Sequence, residues 1–260
     1  MPEPARGEGA TLTSERGPRP RHDSTVPWYR EIVAARQLLD AGIAFLEPRR
    51  DELNAINVFP VADGDTGDNA FLTMAAARTE LARCEQALGA GEQSKPLAIA
   101  FAVSRAALLG ARGNCGVILS QIARGLAESL ACEWEHALDL RVLADAAAAA
   151  SEAAYLSVRE PVEGTILTVT RSVATAIDAE AEMVGSALPP SNVRAAALSA
   201  LEAALAAGVS EMHAGVMMIP ELREANVVDA GALALVLLLE GMVAALRGDE
   251  SQPRVDGELA

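Results

Sequence analysis

An all-α fold of closely packed helices is what this sequence predicts, on three observations. Hydrophobic residues make up 51% of the chain and aromatic residues only 3%. With abundant alanine, that balance suits helices in close contact better than sheets. Apolar positions recur at helical spacing along most of the sequence. No strand signal competes with that spacing, and no internal repeat is evident. At 260 residues and 27.0 kDa the chain can bury one large core or two small ones.

Taken in order, residues 1–25 carry Pro, Gly, Arg, Glu, Ser and Thr with almost no large apolar side chain. They read as a disordered tail without a secretory signal. Trp28, Ile32, Leu38, Leu39, Ile43 and Phe45 mark a first amphipathic helix, ended near Pro48. Asp51 is expected to cap a short helical turn. A helix follows from Asn69 to about Leu88, with Phe71, Leu72, Met74 and Leu81 as apolar members. Residues 89–95 are a linker, and Pro96 opens a helix to Leu109. Beyond a glycine loop at 110–116, helices are expected over 117–130 and 138–157, the second passing through an alanine run. Further helices are expected over 165–183 and 193–206, separated by Pro189, Pro190 and Ser191, with a short one over 217–225. The longest apolar stretch, 230–246, spans roughly 25 Å as a helix, short of a bilayer, and reads as a central buried helix. Residues 248–260 read as a second disordered tail. The domain is therefore expected over 26–247.

Four junctions between these elements carry the chemistry. The segment NVFPVADGDTGDN over 57–69 sets Asp63 and Asp65 on either side of a glycine, with Thr66, Gly67, Asp68 and Asn69 following. Mg²⁺ takes oxygen ligands and usually meets protein through one or two carboxylates plus substrate phosphates. A helix N-terminus beside those acids suits a phosphate. A calcium loop is excluded. Counted from Asp63, the sixth position is Asp68 where glycine is needed, and the twelfth is Met74 where glutamate is needed. The segment GARGNCGVILSQ over 110–121 places glycines 110, 113 and 116 before an apolar run, where backbone amides can form an anion-binding concavity. It is neither a Walker A loop nor a dinucleotide fingerprint. Gly164 and Thr165 stand at a third helix start, and Asp229 and Gly231 before the most apolar helix at a fourth.

These four segments resemble the nucleotide-binding (DhaL-type) domain of the dihydroxyacetone kinase superfamily, closest to the ATP-binding subunit of bacterial fatty acid kinase. The likeness spans about residues 28–247. It implies a single-domain, antiparallel helical barrel or bundle of about eight helices, binding ATP through two Mg²⁺ ions at one end. By that likeness Asn57, Asp63 and Asp65 are metal residues. Thr66, Gly67, Asp68, Asn69, Gly113, Asn114, Cys115, Gly116, Thr165, Asp229, Ala230 and Gly231 lie near the nucleotide. Two positions depart from the pattern. Asp68 stands where threonine is usual, adding a charge that either recruits metal or repels ATP. Cys115 replaces a serine with a weaker donor, and suits a small packing residue at a helix start.

The implied reaction is phosphoryl transfer from Mg·ATP, which needs positioning and charge neutralisation more than a covalent protein group. In this reading the amides of 66–69 and 113–116 orient the phosphates. None of the four segments carries a candidate base for an acceptor hydroxyl. The resemblance accordingly implies a partner that presents the acceptor, a fatty-acid-binding protein or a ketose-binding subunit. A homodimer is left open. A non-catalytic nucleotide sensor or scaffold is the alternative from another class, and a glycerone kinase subunit is a third reading.

The net charge of −15 argues against nucleic acid or an anionic membrane as partner, and makes a divalent cation more necessary for ATP. Cysteines 84, 115 and 132 are too few and scattered for a disulfide framework and suit a cytoplasmic protein. Histidines 22, 136 and 213 show no zinc-ligand spacing and read as surface or capping residues.

Overall fold

The computed structural model describes residues 29–133, 139–184 and 193–248. The expected tails (Gly248 apart), Trp28, His22, His136 and the break at 189–191 lie outside the described residues. Those residues form ten α-helices: α1 (Tyr29–Leu46), α2 (Arg50–Ala55), α3 (Thr66–Gly89), α4 (Pro96–Gly110), α5 (Gly113–Cys132), α6 (Leu140–Leu156), α7 (Ile166–Val184), α8 (Val193–Gly215), α9 (Pro220–Ala225) and α10 (Ala230–Arg247). No strand occurs among them. Eight are long, in agreement with the expected barrel.

The boundaries shift for local reasons. α1 ends at Leu46, near Pro48 as expected, and Pro48 sits in a 3₁₀ turn, Glu47–Arg49, that leads into α2. Asp51 lies inside the first turn of α2, not at its cap, which is Arg49. α3 begins at Thr66, so the motif residues 66–69 form its first turn. α5 begins at Gly113, which reduces the expected seven-residue glycine loop to Ala111 and Arg112. α8 runs on to Gly215, well past the expected Ala206.

Consecutive long helices pack in an antiparallel ring, α3 on α4, then α5, α6, α7 and α8, and α10 joins α8 to α1, which returns to α3. The closing contact needs two glycines. A Cβ on Gly241 would lie 2.3 Å from the Ala41 carbonyl oxygen, and one on Gly42 2.8 Å from that of Leu238. Backbones this close exclude any side chain at either position. α10 also touches α3 and α7. Its Leu233, Val236 and Leu237 are among the most deeply buried side chains of the main core. By length and composition α8 and α10 could each cross a membrane, but most of α10 is buried inside the bundle, as expected of a central core helix.

Alternation of direction puts the N-termini of α3, α5, α7 and α10 at one end of the ring. The loop 56–65 crosses that same end.

Candidate active site

The two acids of the first motif are each held by an asparagine. The Asn57 amide nitrogen donates to Asp63 Oδ1 at 2.7 Å, and that of Asn69 to Asp65 Oδ1 at 2.6 Å. Asn57 and Asn69 are buried, Asp65 is half-buried and Asp63 faces solvent. Buried donors thus fix one oxygen of each carboxylate, and no described residue hydrogen-bonds the second. Among the described residues no group of three His, Cys, Asp or Glu is arranged to hold a metal. A donor set of two carboxylates suits Mg²⁺ completed by phosphate and water better than a cation caged by protein alone. Asn57, expected as a ligand, is placed as the donor that holds Asp63.

The first turn of α3 is capped from α2. Asn54 Oδ1 accepts from the amides of Gly67 (2.8 Å) and Asp68 (3.3 Å), and the Asn69 amide donates to the Asp65 carbonyl at 2.9 Å. Of the four amides expected to orient phosphates, these three already have acceptors, which leaves the Thr66 amide and the side chains of this turn for that role. Asp68 forms an ion pair with Arg50, whose Nε lies 2.9 Å from Oδ1, and accepts from Asn54 at 3.0 Å. Arg50, then Asn54, hold its carboxyl below the usual range. Arg50 also lies 4.6 Å from the centroid of the Phe71 ring. The extra charge at 68 is therefore neutralised within the protein. Arg50 and Asn54 were not legible as site residues, because no local spacing signals a partner fourteen to eighteen positions away.

The α4–α5 turn comes against this first turn. Gly113 has φ +58°, and a Cβ there would lie 2.5 Å from the Asn69 side-chain nitrogen Nδ2 and 3.9 Å from Asp65 Oδ1. Glycine is required on both counts, conformation and contact. Arg112 caps α5 without a side-chain hydrogen bond, and Gly116 is the first residue whose amide bonds back, to the Arg112 carbonyl at 3.0 Å. The amides of Gly113, Asn114 and Cys115 thus form an open first turn beside Asp65. Cys115 is half-buried, its side chain packed against the main core. Burial raises its thiol pKa, and the nearby carboxylates of Asp229 and Asp65 raise it further. That is the environment of a packing residue.

α7 and α10 are joined at their starts by one side chain. Buried Asp229 caps α10 through the Ala232 amide (2.8 Å) and accepts from the Ile166 amide (3.0 Å) with the same oxygen. Burial pushes its pKa up to about 6 against the opposing pull of those two amides. Ala230 is buried, and a Cβ on Gly231 would lie 3.2 Å from Asp229 Oδ2 and 3.4 Å from Ile166 Cβ. Thr165 Oγ1 donates to the Val162 carbonyl at 2.8 Å and accepts from the Leu167 amide at 3.3 Å. Glu163, not anticipated from sequence, accepts from Arg171 (2.6 Å) and Thr168 (2.9 Å) and braces this turn. His213 sits exposed near the C-terminal end of α8.

All four junctions therefore meet. Gly113 touches Asn69, Cys115 lies in the field of both Asp65 and Asp229, and Asp229 binds Ile166. Three of the four helix starts are capped by this chain's own side chains, and that of α5 is open.

Comparison with known proteins gives the chain a family. A family model described as the DAK2 domain matches residues 60–244. Proteins of Staphylococcus aureus strains USA300 and COL, each described as an uncharacterized protein, are 34% identical over 214 residues, or 82% of this chain. The chain spans 36% of the length of those relatives.

Proposed function

From the premise that this chain belongs to the DAK2 domain family, we propose that it is a Mg·ATP-dependent phosphotransferase domain covering 26–247. It passes the γ-phosphate to an acceptor held by a partner protein, as in fatty acid kinase, forming an acyl phosphate. The observation that carries this reading is the open first turn of α5 beside Asp65. Uncapped amides carry partial positive charge and suit a phosphate, and the adjacent carboxylates suit its cation.

In this proposal Asp63 and Asp65 hold Mg²⁺ through their free oxygens, with Asn57 and Asn69 keeping those oxygens aimed. Mg²⁺ bound there supplies charge neutralisation on the phosphates and offsets the acidity of the chain. Gly113, Asn114, Cys115 and Gly116 bring backbone close to the phosphates, and Thr66 offers a hydroxyl from the facing turn. Asp229, Ala230, Gly231 and Thr165 set the separation of α7 and α10 beside the nucleotide. The free cysteines suit a cytoplasmic setting.

Two of the features behind the sensor reading weigh less with Asp68 paired to Arg50 and the Cys115 side chain packed against the core, which favours catalysis.

Asp63→Ala with Asp65→Ala is the test. Mg-dependent ATP binding by calorimetry is expected to vanish while helical circular dichroism stays unchanged, and unaltered nucleotide binding would remove the site assignment. Labelled ATP incubated with lipid-binding or ketose-binding proteins then reads transfer. Tight nucleotide binding without transfer to any acceptor would favour the sensor.

A further inference from the structure

We propose that the outer face of α4, flanked by α3 and α5, docks a protein partner whose contact surface is apolar and rimmed with acids. The surface is argued from its own chemistry; its service to an acceptor-presenting partner rests on the phosphotransfer reading. Residues 93–127 contain Lys95, Arg105, Arg112 and Arg124 and no Asp or Glu, so all 36 acids of this acidic chain lie elsewhere. Within that segment Leu97, Phe101, Arg105, Leu108 and Arg112 follow at i, i+4, i+8, i+11 and i+15, one face of the helix and the turn after it.

That face is solvent-exposed. Phe101 is 54%, Leu108 50% and Leu109 67% exposed. Leu72 on α3 extends the apolar area, since Gly110 at the end of α4 lies against Ala76 and the Leu72 carbonyl, and Val117 on the next helix, α5, is exposed as well. Folding does not account for the patch. The opposite face of α4, with Ile99, Val103 and Ala107, already packs in a core cluster with Ala77 and Leu81. Single exposed leucines are ordinary on a protein surface, whereas a contiguous stripe marks an interaction site.

Charge selects the occupant. Arg36, Arg50, Arg78, Arg83, Arg141 and Arg171 each sit in an ion pair. Lys95, Arg105 and Arg112 are in none among the described residues; Arg30, Arg159, Arg194 and Arg223 share that state, but these three stand together in the acid-free segment. Cations standing apart from acids around an apolar stripe complement an acidic surface. A symmetric contact with a second copy would set these cations against themselves. An anionic bilayer would meet the field of a chain with net charge −15. α4 ends at the turn that presents Gly113, so a partner seated here lies next to the open start of α5.

The test uses the full chain and two fluorescent amphipathic peptides of about twenty residues, long enough to be helical. They share one Leu/Phe face and differ in a Glu rim or a Lys rim. The Glu peptide is expected to bind at least about tenfold more tightly, a difference of about 1.4 kcal/mol, and salt should narrow the gap. Phe101→Asp should abolish binding and Arg105→Glu should reduce the preference, with circular dichroism unchanged in both. Equal affinity for the two peptides, or affinity for neither, overturns the proposal. So does co-sedimentation with phosphatidylserine vesicles, or a dimer in sedimentation velocity, that Phe101→Asp removes. Calorimetry with Mg·ATP runs in parallel: Phe101→Asp should bind nucleotide as the parent does. Peptide binding by a parent chain that binds no nucleotide would uphold the surface and sink the phosphotransfer reading.

Discussion

Asp229 Oδ2 lies 3.0 Å from the amide of Ile166, and the same oxygen caps its own helix at Ala232. One carboxylate thereby sets the separation of two helix starts 63 residues apart in sequence. Asp229→Ala leaves two buried amides without an acceptor. A loss of about 2–3 kcal/mol is expected in urea unfolding, with nucleotide affinity falling as well.

The same residue makes stability depend on pH. Its folded pKa of about 6 lies above the ordinary 3.8, because burial disfavours the charged form. The unfolded state therefore releases its proton first as pH rises. The contribution is fully present below about pH 4 and is lost as pH rises through about 6, by about 3 kcal/mol at most. Asp229→Asn should flatten this part of the stability profile; an unchanged slope between pH 4 and 6 in that variant would assign the effect elsewhere.

Gly113→Ala tests the contact between the two motif turns. The new methyl meets the Asn69 side-chain nitrogen Nδ2 at 2.5 Å in a backbone conformation that disfavours alanine. Destabilisation of about 1–2 kcal/mol is expected. Because Asn69 holds Asp65, Mg·ATP affinity by calorimetry should fall further than stability alone explains.

Asn57→Ala removes the donor that aims Asp63. Loss of a group that orients a metal carboxylate typically costs about 10–100-fold in metal affinity. Titration of the ATP-bound chain with Mn²⁺, followed by electron paramagnetic resonance, reads this directly. Undiminished affinity would show that Asp63 needs no such support.

Arg50 and Asp68 are both partly exposed, so Asp68→Asn should change stability by less than about 1 kcal/mol. The Asp68 pKa is depressed, so its contribution is present above about pH 4 and is lost as pH falls through the lowered value. Arg50→Ala should cost more than Asp68→Asn, since it also loses the contact with the Phe71 ring. Equal losses in thermal unfolding would discount the ring contact.

The helices were legible because alanine, leucine and apolar spacing act locally, over one or two turns. Their ends were less so. α3 starts at Thr66 because Asn54 caps it from α2, and α5 starts at Gly113, a left-handed residue against which Asn69 leaves no space for a side chain. The motif acids, glycines and Asp229 stood out as residues. What each of them does was visible for some and hidden for others. Asp229 is a cap for two helices as well as a residue of the fourth turn, and the charge on Asp68 is paired with Arg50.

By itself, then, the sequence determined the helical class, the family and the residues at the four turns, since all of these follow from side-chain type and short-range spacing. The tertiary structure decided which helix start stays open and which oxygen of each acid stays free. Those outcomes depend on hydrogen bonds made across the bundle, between residues whose separation along the chain carries no periodic signal.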